Sequence, residues 1–84
     1  MARRHEPLLP GFRDIAERRK LAGDLAGRRV ELGLSQTEVG ARMGTSQSAV
    51  ARLEAGDADV RLSTLERYAS ALGIRLEVRL RDDT

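Results

Sequence analysis

The sequence contains no cysteine and only one histidine, His5. Without cysteine the chain has no disulfide, no thiolate nucleophile and no cysteine-based metal site. His5 lies near the amino terminus, in a segment that we predict to be a tail, so histidine-based catalysis or metal binding has almost nothing to work with. We therefore predict no catalytic residue, no metal site, no cofactor and no enzymatic activity.

Long apolar runs are also missing. No stretch approaches the ~18 residues of a membrane span, and the basic start at Arg3 and Arg4 is not followed by the apolar stretch that a signal peptide needs. No glycine-rich loop follows a strand pattern, which excludes a phosphate-cradling nucleotide site. Asp57 and Asp59 are interpreted as solvated turn residues rather than metal ligands. We expect a cytoplasmic protein without a membrane partner.

Lysine is nearly absent as well. Of the 15 basic residues all but Lys20 are arginine, and the net charge is only +2. Arginine suits bidentate contacts to phosphates and bases better than lysine does. A coding preference of the source genome would explain the same bias, so composition alone leaves both interpretations open.

The 84 residues allow one small domain, for which oligomerisation is an expected source of extra stability. The chain divides into four predicted segments. They are a flexible arm at 1–12, a helical domain at 13–73, a strand at 74–81 and an acidic tail at 82–84.

The first helical stretch is predicted from about Asp14 to Leu32, with its apolar residues on one face and Gly33 as a left-handed cap. Gly23 and Gly27 each cost about 1 kcal/mol relative to alanine inside a helix. They favour a break or bend near Leu21, which raises the predicted number of helices to about five. The expected inner face holds Ile15, Ala22, Leu25, Ala26 and Leu32.

Two short helices follow, joined by a turn that contains Gly44. Ser35 to Glu38 fits a capping box that opens a helix ending at Met43. Ser46 is the predicted N-cap of the next helix, which runs to Ala55 and is stopped by Gly56. Two helices of about eight residues joined by a three-to-four-residue turn containing glycine describe a helix-turn-helix unit.

The remainder of the chain shows a helix pattern followed by a strand pattern. Ser63 to Glu66 repeats the capping-box pattern and opens a helix that Gly73 caps. From Ile74 to Arg81 apolar and polar residues then alternate without a slip, which predicts a half-buried strand.

These features together resemble the Cro/C1-type helix-turn-helix family, which includes the lambdoid phage repressors. The resemblance lies in residues 28–56 (RRVELGLSQTEVGARMGTSQSAVARLEAG) and continues through residues 63–73 (STLERYASALG). It implies a mainly α fold, a lambda-repressor-like bundle, here with one carboxyl-terminal strand that pairs across a dimer. One departure is Gly40, where the family usually has alanine. A small residue is needed there so that the next helix can approach.

The family geometry implies that the helix after Ser46 enters the major groove of double-stranded DNA. Its pattern agrees, because Gln47, Ser48 and Arg52 project opposite Val50 and Leu53. Gln47 suits adenine and Arg52 suits guanine, whereas Ser48 could bond to either. Further residues are expected to contact the DNA backbone. The full set of candidate DNA-binding residues is Gln36, Arg42, Thr45, Ser46, Gln47, Ser48, Arg52 and Arg61.

The resemblance also assigns a structural role to Arg29 and Glu54. In the family the matching residues form a largely buried ion pair that ties the first helix to the recognition helix. Such a pair positions the helices more than it adds net stability.

The terminal strand has one apolar face and no second strand to pair with in the chain, so it needs a neighbour. The simplest neighbour is the same strand of a second copy, antiparallel across a twofold axis. Centring the pair on Leu76 or Val78 sets Glu77 opposite an arginine, whereas centring it on Glu77 opposes like charges. The predicted dimerisation residues are Ile74, Leu76, Glu77, Val78 and Leu80.

Three functions remain open. The first is a sequence-specific transcriptional regulator, a repressor that binds an inverted-repeat operator as a homodimer. The second is an antitoxin of the host-inhibition-of-growth type, in which residues 1–24 wrap a toxin protein while the core binds the shared operator. The third is a pure interaction module with a vestigial helix-turn-helix.

Overall fold

A computed structural model of the chain describes residues 10–57 and 60–77, with side chains from residue 15 onward. The described residues form four helices. These are α1 (Pro10–Glu31), α2 (Gln36–Met43), α3 (Gln47–Ala55) and α4 (Leu62–Ala71). This confirms a mainly helical bundle, with four helices in the described ranges where the sequence predicted about five.

The difference in number comes from α1, which runs unbroken through Gly23 and Gly27. Both glycines are exposed, with no atom within 4 Å of where a Cβ would be. Their low helix propensity is offset by burial of Ala22 and Leu25 on the opposite side of the same helix. The predicted break near Leu21 is therefore wrong.

Helix α1 also begins four residues earlier than predicted. Pro10 is its first residue, a position that proline favours because its fixed φ suits the helix and its missing N–H has no partner to lose. The boundary of the predicted arm at residue 12 is corrected accordingly, and residues 1–9 lie outside the described residues.

The core is built from one face of each helix. Helix α1 packs on α3 and α4, and α2 packs on the same two helices. Tyr68 and Leu65 of α4 are the largest fully buried side chains, together with Val39 and Val50. The whole set of buried hydrophobic residues is Ala22, Leu25, Val39, Met43, Val50, Leu53, Val60, Leu65, Tyr68, Ala69 and Leu72. Of the predicted inner face of α1, Ile15 and Leu32 are instead exposed, at 38% and 43%.

Helix α4 begins differently from the prediction. Arg61 is its N-cap and makes no side-chain cap hydrogen bond, so Ser63 lies inside the first turn and Ser63–Glu66 is not a capping box. At its other end, Gly73 has φ 79°, which agrees with the predicted stop.

After α4, Ile74 and Leu76 are half-buried and pack against the core. Residues 74–77 carry no strand assignment, so the predicted strand is not confirmed over the part of it that is described. A strand is defined by hydrogen bonds to a neighbouring strand, and the described part of the chain contains none. Val78, Leu80 and the acidic tail lie outside the described residues.

Within the described ranges, no helix combines the length and the apolar character needed to cross a membrane. Those same ranges contain no group of three or more acidic or histidine side chains arranged to hold a metal ion.

Candidate nucleic-acid interface

Helix α3 presents one polar face outward and one apolar face inward. Val50 and Leu53 are buried, whereas Gln47, Ser48 and Arg52 are exposed, as predicted. The amino end of α3 is capped, because the Ser46 hydroxyl accepts a hydrogen bond from the Ala49 N–H at 3.1 Å. The amino end of α3 is therefore fixed, and its three polar side chains are exposed to solvent.

The turn before α3 is tight, and two glycines make it possible. Gly44 ends α2 with φ 77°, in the left-handed region that favours glycine. Gly40 lies against the turn, since a Cβ there would be 3.0 Å from the Thr45 carbonyl oxygen and 3.2 Å from Ser46 backbone atoms. The expected need for a small residue at position 40 is thus explained by close contact between α2 and the turn backbone.

The amino ends of α2 and α3 meet through two glutamines. The Gln47 Nε2 donates to the Gln36 Oε1 at 2.6 Å. Helix α2 is itself anchored by the predicted capping box, in which the Ser35 N–H donates to Glu38 at 2.8 Å and Ser35 Oγ accepts from the Glu38 N–H at 3.0 Å. Two predicted DNA-contacting side chains are therefore held side by side at the surface.

Glu54, on the inner side of α3, is the centre of a polar cluster. Arg29 of α1 donates to both of its carboxylate oxygens, from Nε at 2.7 Å and from Nη2 at 3.1 Å. The two side chains are only 14% and 10% exposed, which agrees with the predicted buried ion pair. Tyr68 of α4 also donates to Glu54, and Gln36 of α2 donates to it from Nε2 at 2.9 Å.

These partners shift two pKa values. Burial alone would raise the pKa of Glu54, but hydrogen bonds from Arg29, Tyr68 and Gln36 outweigh it and bring that pKa below its ordinary value. Burial, together with the hydrogen bond to Glu54, raises the pKa of the Tyr68 hydroxyl. At neutral pH the cluster therefore holds an ionised carboxylate surrounded by donors.

The family model for helix-turn-helix proteins matches residues 25–78, which is more than half of the chain. The chain belongs to the helix-turn-helix family. This confirms the Cro/C1-type resemblance and the DNA-binding class that it implies.

Curated relatives of the chain come from two strains of Mycobacterium tuberculosis, CDC 1551 / Oshkosh and H37Rv. In each strain the relative is the antitoxin HigA1, which is 45% identical over 67 residues. That alignment covers 80% of this chain and 45% of the relative, so the chain spans about half the length of the antitoxin. No solved structure matches the chain with significance.

Within this helix-turn-helix frame, Arg42 lies away from the two glutamines. Its Nη1 donates to the Ala71 carbonyl oxygen at 2.8 Å, at the carboxyl end of α4. It lines an open cleft of about 400 Å³ together with Arg67 and Ser70. The structure therefore does not group Arg42 with Gln36 and Gln47.

Apart from Arg61, which is the N-cap of α4, the other predicted residues belong to α3 or to the turn before α3. Thr45 and Ser46 precede it, and Ser46 and Ser48 place their hydroxyl oxygens 3.2 Å apart. The side chains of Arg52 and Arg61 are exposed and form no hydrogen bond or ion pair within the described parts of the chain. Both guanidinium groups are therefore available for a ligand.

Sequence reasoning missed Tyr68 and assigned Gln36 only to a phosphate. A signal for Tyr68 existed, since it follows Leu65 by three residues on the apolar face of α4. A buried tyrosine hydroxyl needs a hydrogen-bond partner, and Glu54 is the buried acceptor that the resemblance already provided. The link from Gln36 to Glu54 joins residues 18 positions apart, and no sequence pattern indicates it.

Proposed function

We propose that the chain is a sequence-specific DNA-binding regulator, a repressor that binds an inverted-repeat operator as a homodimer. The observation that carries the proposal is the outer face of α3. Gln47, Ser48 and Arg52 are exposed on a helix whose opposite face is buried and whose amino end is capped. A protruding helix of this width fits the major groove of B-DNA.

Each of these three side chains has a base that suits its donors and acceptors. Gln47 pairs with adenine through N6 and N7, and Arg52 pairs with guanine through O6 and N7. Ser48 bonds to either kind of base. Base-edge contacts of this kind supply the sequence preference of the proposed complex.

Contacts to the DNA backbone hold the helix in place. The amino ends of α2 and α3 offer backbone N–H groups and positive potential to phosphates, next to Gln36, Thr45 and Ser46. Arg61 adds a charge from the segment before α4. Arg42 reaches a phosphate only by releasing the Ala71 carbonyl, so it is the least favoured member of the proposed set.

The homodimer part of the proposal depends on the carboxyl-terminal segment. Ile74 and Leu76 are half-buried and pack against the core, so the segment begins beside the helical bundle. In a dimer paired through Ile74, Leu76, Glu77, Val78 and Leu80, two α3 helices about 34 Å apart would read half-sites one DNA turn apart. A dimer with several phosphate contacts in each half should lose affinity steeply as salt rises, which the net charge of +2 alone would not predict.

The relatives favour a second candidate function, that of an antitoxin. Their printed name is antitoxin HigA1, at 45% identity. In this alternative, residues 1–24 bind a toxin protein and the helix-turn-helix binds the shared operator. Residues 10–24 of α1 precede the stretch that the family model matches, and Ile15 among them is 38% exposed.

The first experiment selects bound sequences from random DNA with the purified chain. We expect an inverted repeat with half-sites one turn apart. Arg52→Ala should weaken binding to that site by about 1–3 kcal/mol and relax one base position, because one bidentate base contact is lost. Fluorescence anisotropy with labelled duplexes gives the affinities, and Arg19→Ala, which changes an exposed arginine of α1 outside the proposed DNA-binding and dimerisation residues, is the control.

Unchanged affinity in Arg52→Ala would show that α3 is not the reading helix. The antitoxin alternative is tested by co-expressing the chain with the protein encoded by the neighbouring reading frame. Growth rescue that is lost when the exposed Ile15 is replaced by glutamate, while operator binding persists, would favour the antitoxin. Operator binding without any rescue would favour the stand-alone regulator.

A further inference from the structure

The carboxyl ends of α2 and α4 border an open cleft of about 400 Å³. Arg42 of α2 lines it from one side, and Arg67 and Ser70 of α4 line it from the other. We propose that this cleft binds a phosphate monoester, with the two guanidinium groups and the Ser70 hydroxyl as donors to the phosphate oxygens. No residue of α3 lines the cleft in the described parts of the chain, and the inference does not depend on the DNA-binding function proposed above.

The carboxyl end of α4 is already satisfied without Arg67 and without the Ser70 hydroxyl. The carbonyl oxygens of residues 68–70 accept hydrogen bonds from the backbone N–H groups of residues 72–74, at 2.9–3.2 Å. The Ala71 carbonyl oxygen accepts from Arg42 Nη1 at 2.8 Å. The carbonyl groups that a helix usually leaves unpaired at this end therefore all have donors, and they do not occupy the other polar groups of the cleft.

All three of the polar side chains that line the cleft have donors left for a ligand. The side chains of Arg67 and Ser70 are exposed and form no hydrogen bond or ion pair within the described ranges. An arginine carries five N–H donors, and Arg42 uses one of them for Ala71. Because Ala71 also lines the cleft, a ligand there meets Arg42 in its present position, whereas a contact to DNA requires Arg42 to leave that carbonyl.

The charge around the cleft is positive. Among the residues that the structure describes, no acidic side chain lines it. Glu38 lies one turn before Arg42 on α2, but its carboxylate accepts from the Ser35 N–H at 2.8 Å in the capping box. Glu66 precedes Arg67 in the sequence and lines a different cleft. The two guanidinium charges are therefore not neutralised inside the cleft.

A phosphate monoester matches these groups in charge and in the number of its acceptors. It carries about −1.5 to −2 charges at neutral pH and three terminal oxygens that are strong acceptors. Two guanidinium groups balance that charge, and their planar forks suit phosphate oxygens. A carboxylate brings one charge and two oxygens, so it would leave one of the three donor groups unused. The volume of about 400 Å³ lies within the range of small-molecule sites and has room for the organic part of the ester.

Glycerol 3-phosphate is the probe for the first experiment. It is titrated into the ¹⁵N-labelled chain while sodium chloride keeps the ionic strength constant, and amide chemical shifts are followed. We expect saturable shifts at Arg42 and at residues 70–73. Arg67→Gln should weaken binding about fivefold or more, because one charge-assisted contact is lost, and Ser70→Ala, which keeps the charge, should weaken it by a smaller factor.

Two controls separate specific binding from a general effect of charge. Arg28→Gln removes the same charge from an exposed position of α1, outside the cleft, and should leave the affinity unchanged. Circular dichroism at the titration temperature shows that each variant is folded. Equal affinity of Arg67→Gln and the unmodified chain would overturn the inference. Acetate or inorganic phosphate that binds as tightly as glycerol 3-phosphate would overturn the assignment to a phosphate monoester.

The location of the shifts distinguishes the cleft from the proposed DNA interface. If they centre on the amino ends of α2 and α3, and if Arg52→Gln weakens binding while Arg67→Gln does not, the phosphate occupies the DNA interface and the inference about the cleft fails. A titration without any saturable shift also overturns it. Both results leave the DNA-binding proposal in place, because that proposal is tested separately with selected duplexes.

Discussion

A single carboxylate connects all four helices of the described chain. Glu54 belongs to α3 and bonds to Arg29 of α1, Gln36 of α2 and Tyr68 of α4. Removing one partner of such a buried pair typically costs about 3–5 kcal/mol, because the other charge is left without compensation. The contribution of Glu54 is therefore to hold the helices in one arrangement.

The pH dependence of stability should reveal this cluster. The pKa of Glu54 is lowered in the folded chain, so the stability it adds is present above its unfolded pKa of about 4.3 and is lost as the pH falls below that. The pKa of Tyr68 is raised, so its contribution is present below about pH 10 and is lost as the pH rises further. Urea denaturation across pH should show both losses.

Tyr68→Phe separates the two effects. It removes the ionisable hydroxyl while keeping the ring, so the alkaline loss should flatten and the acid loss should persist. Tyr68 is the only tyrosine, which makes the comparison direct. An unchanged alkaline slope in this variant would contradict the role assigned to the hydroxyl.

At the scale of single residues, the sequence predicted the contacts that local chemistry or the family resemblance specifies. The cap at Ser46, the capping box at Ser35 and the pairing of Arg29 with Glu54 all occur as expected. The other two donors to Glu54, Gln36 and Tyr68, could not be predicted, because their positions depend on how α2 and α4 pack against α3. Contacts between distant elements leave no periodic signal in the sequence.

At the scale of helices, propensity and packing compete. The predicted break in α1 fails because Gly23 and Gly27 lie on its exposed side, where their cost is small compared with what the buried side gains. The predicted start of α4 at Ser63 fails because the capping-box pattern begins two residues after Arg61, the N-cap of the actual helix. The boundaries of α2 and α3 agree with the prediction, since each helix begins after a capping serine and ends at a glycine.

Gly27 of α1 and Gly40 of α2 should respond differently to alanine. Gly27→Ala should raise the free energy of unfolding by about 0.5–1 kcal/mol, because open space surrounds the new methyl group. Gly40→Ala should bring no gain, since its Cβ would press on the Thr45 carbonyl 3.0 Å away and the turn must shift. Gly40→Val should lower the free energy of unfolding by about 1–3 kcal/mol.

Thermal and urea unfolding of the three variants check this pair of expectations. Gly27→Ala is the matched control, because it makes the same chemical change at a helical glycine without neighbours. Equal stabilisation by alanine at positions 27 and 40 would mean that the turn does not restrict the size of the side chain at position 40.

At the scale of the whole molecule, the proposed dimer depends on the carboxyl-terminal segment. The alternation from Ile74 to Arg81 predicts a strand, and Val78 lies at its centre, outside the described residues. Val78→Pro should remove a strand hydrogen bond and weaken the dimer, because proline has no backbone N–H to donate. Sedimentation equilibrium over a concentration series measures the change in dissociation constant.

Asp83→Pro introduces the same residue in the acidic tail and should leave the dissociation constant as it is. An intact dimer in Val78→Pro would remove strand pairing as the basis of association. The sequence could indicate that this segment needs a neighbour, but pairing between two copies is a property of the assembly, which no single-chain pattern fixes.

The joining of four helices at Glu54 also bears on how the target site could change over evolutionary time. Tilting α3 toward a different operator would strain bonds to three other helices at once. Exchanging Ser48 or Arg52 disturbs none of those bonds. If α3 reads DNA as proposed, descendants of this protein would therefore acquire new operators by exchanging the outward side chains of a helix whose angle is inherited unchanged.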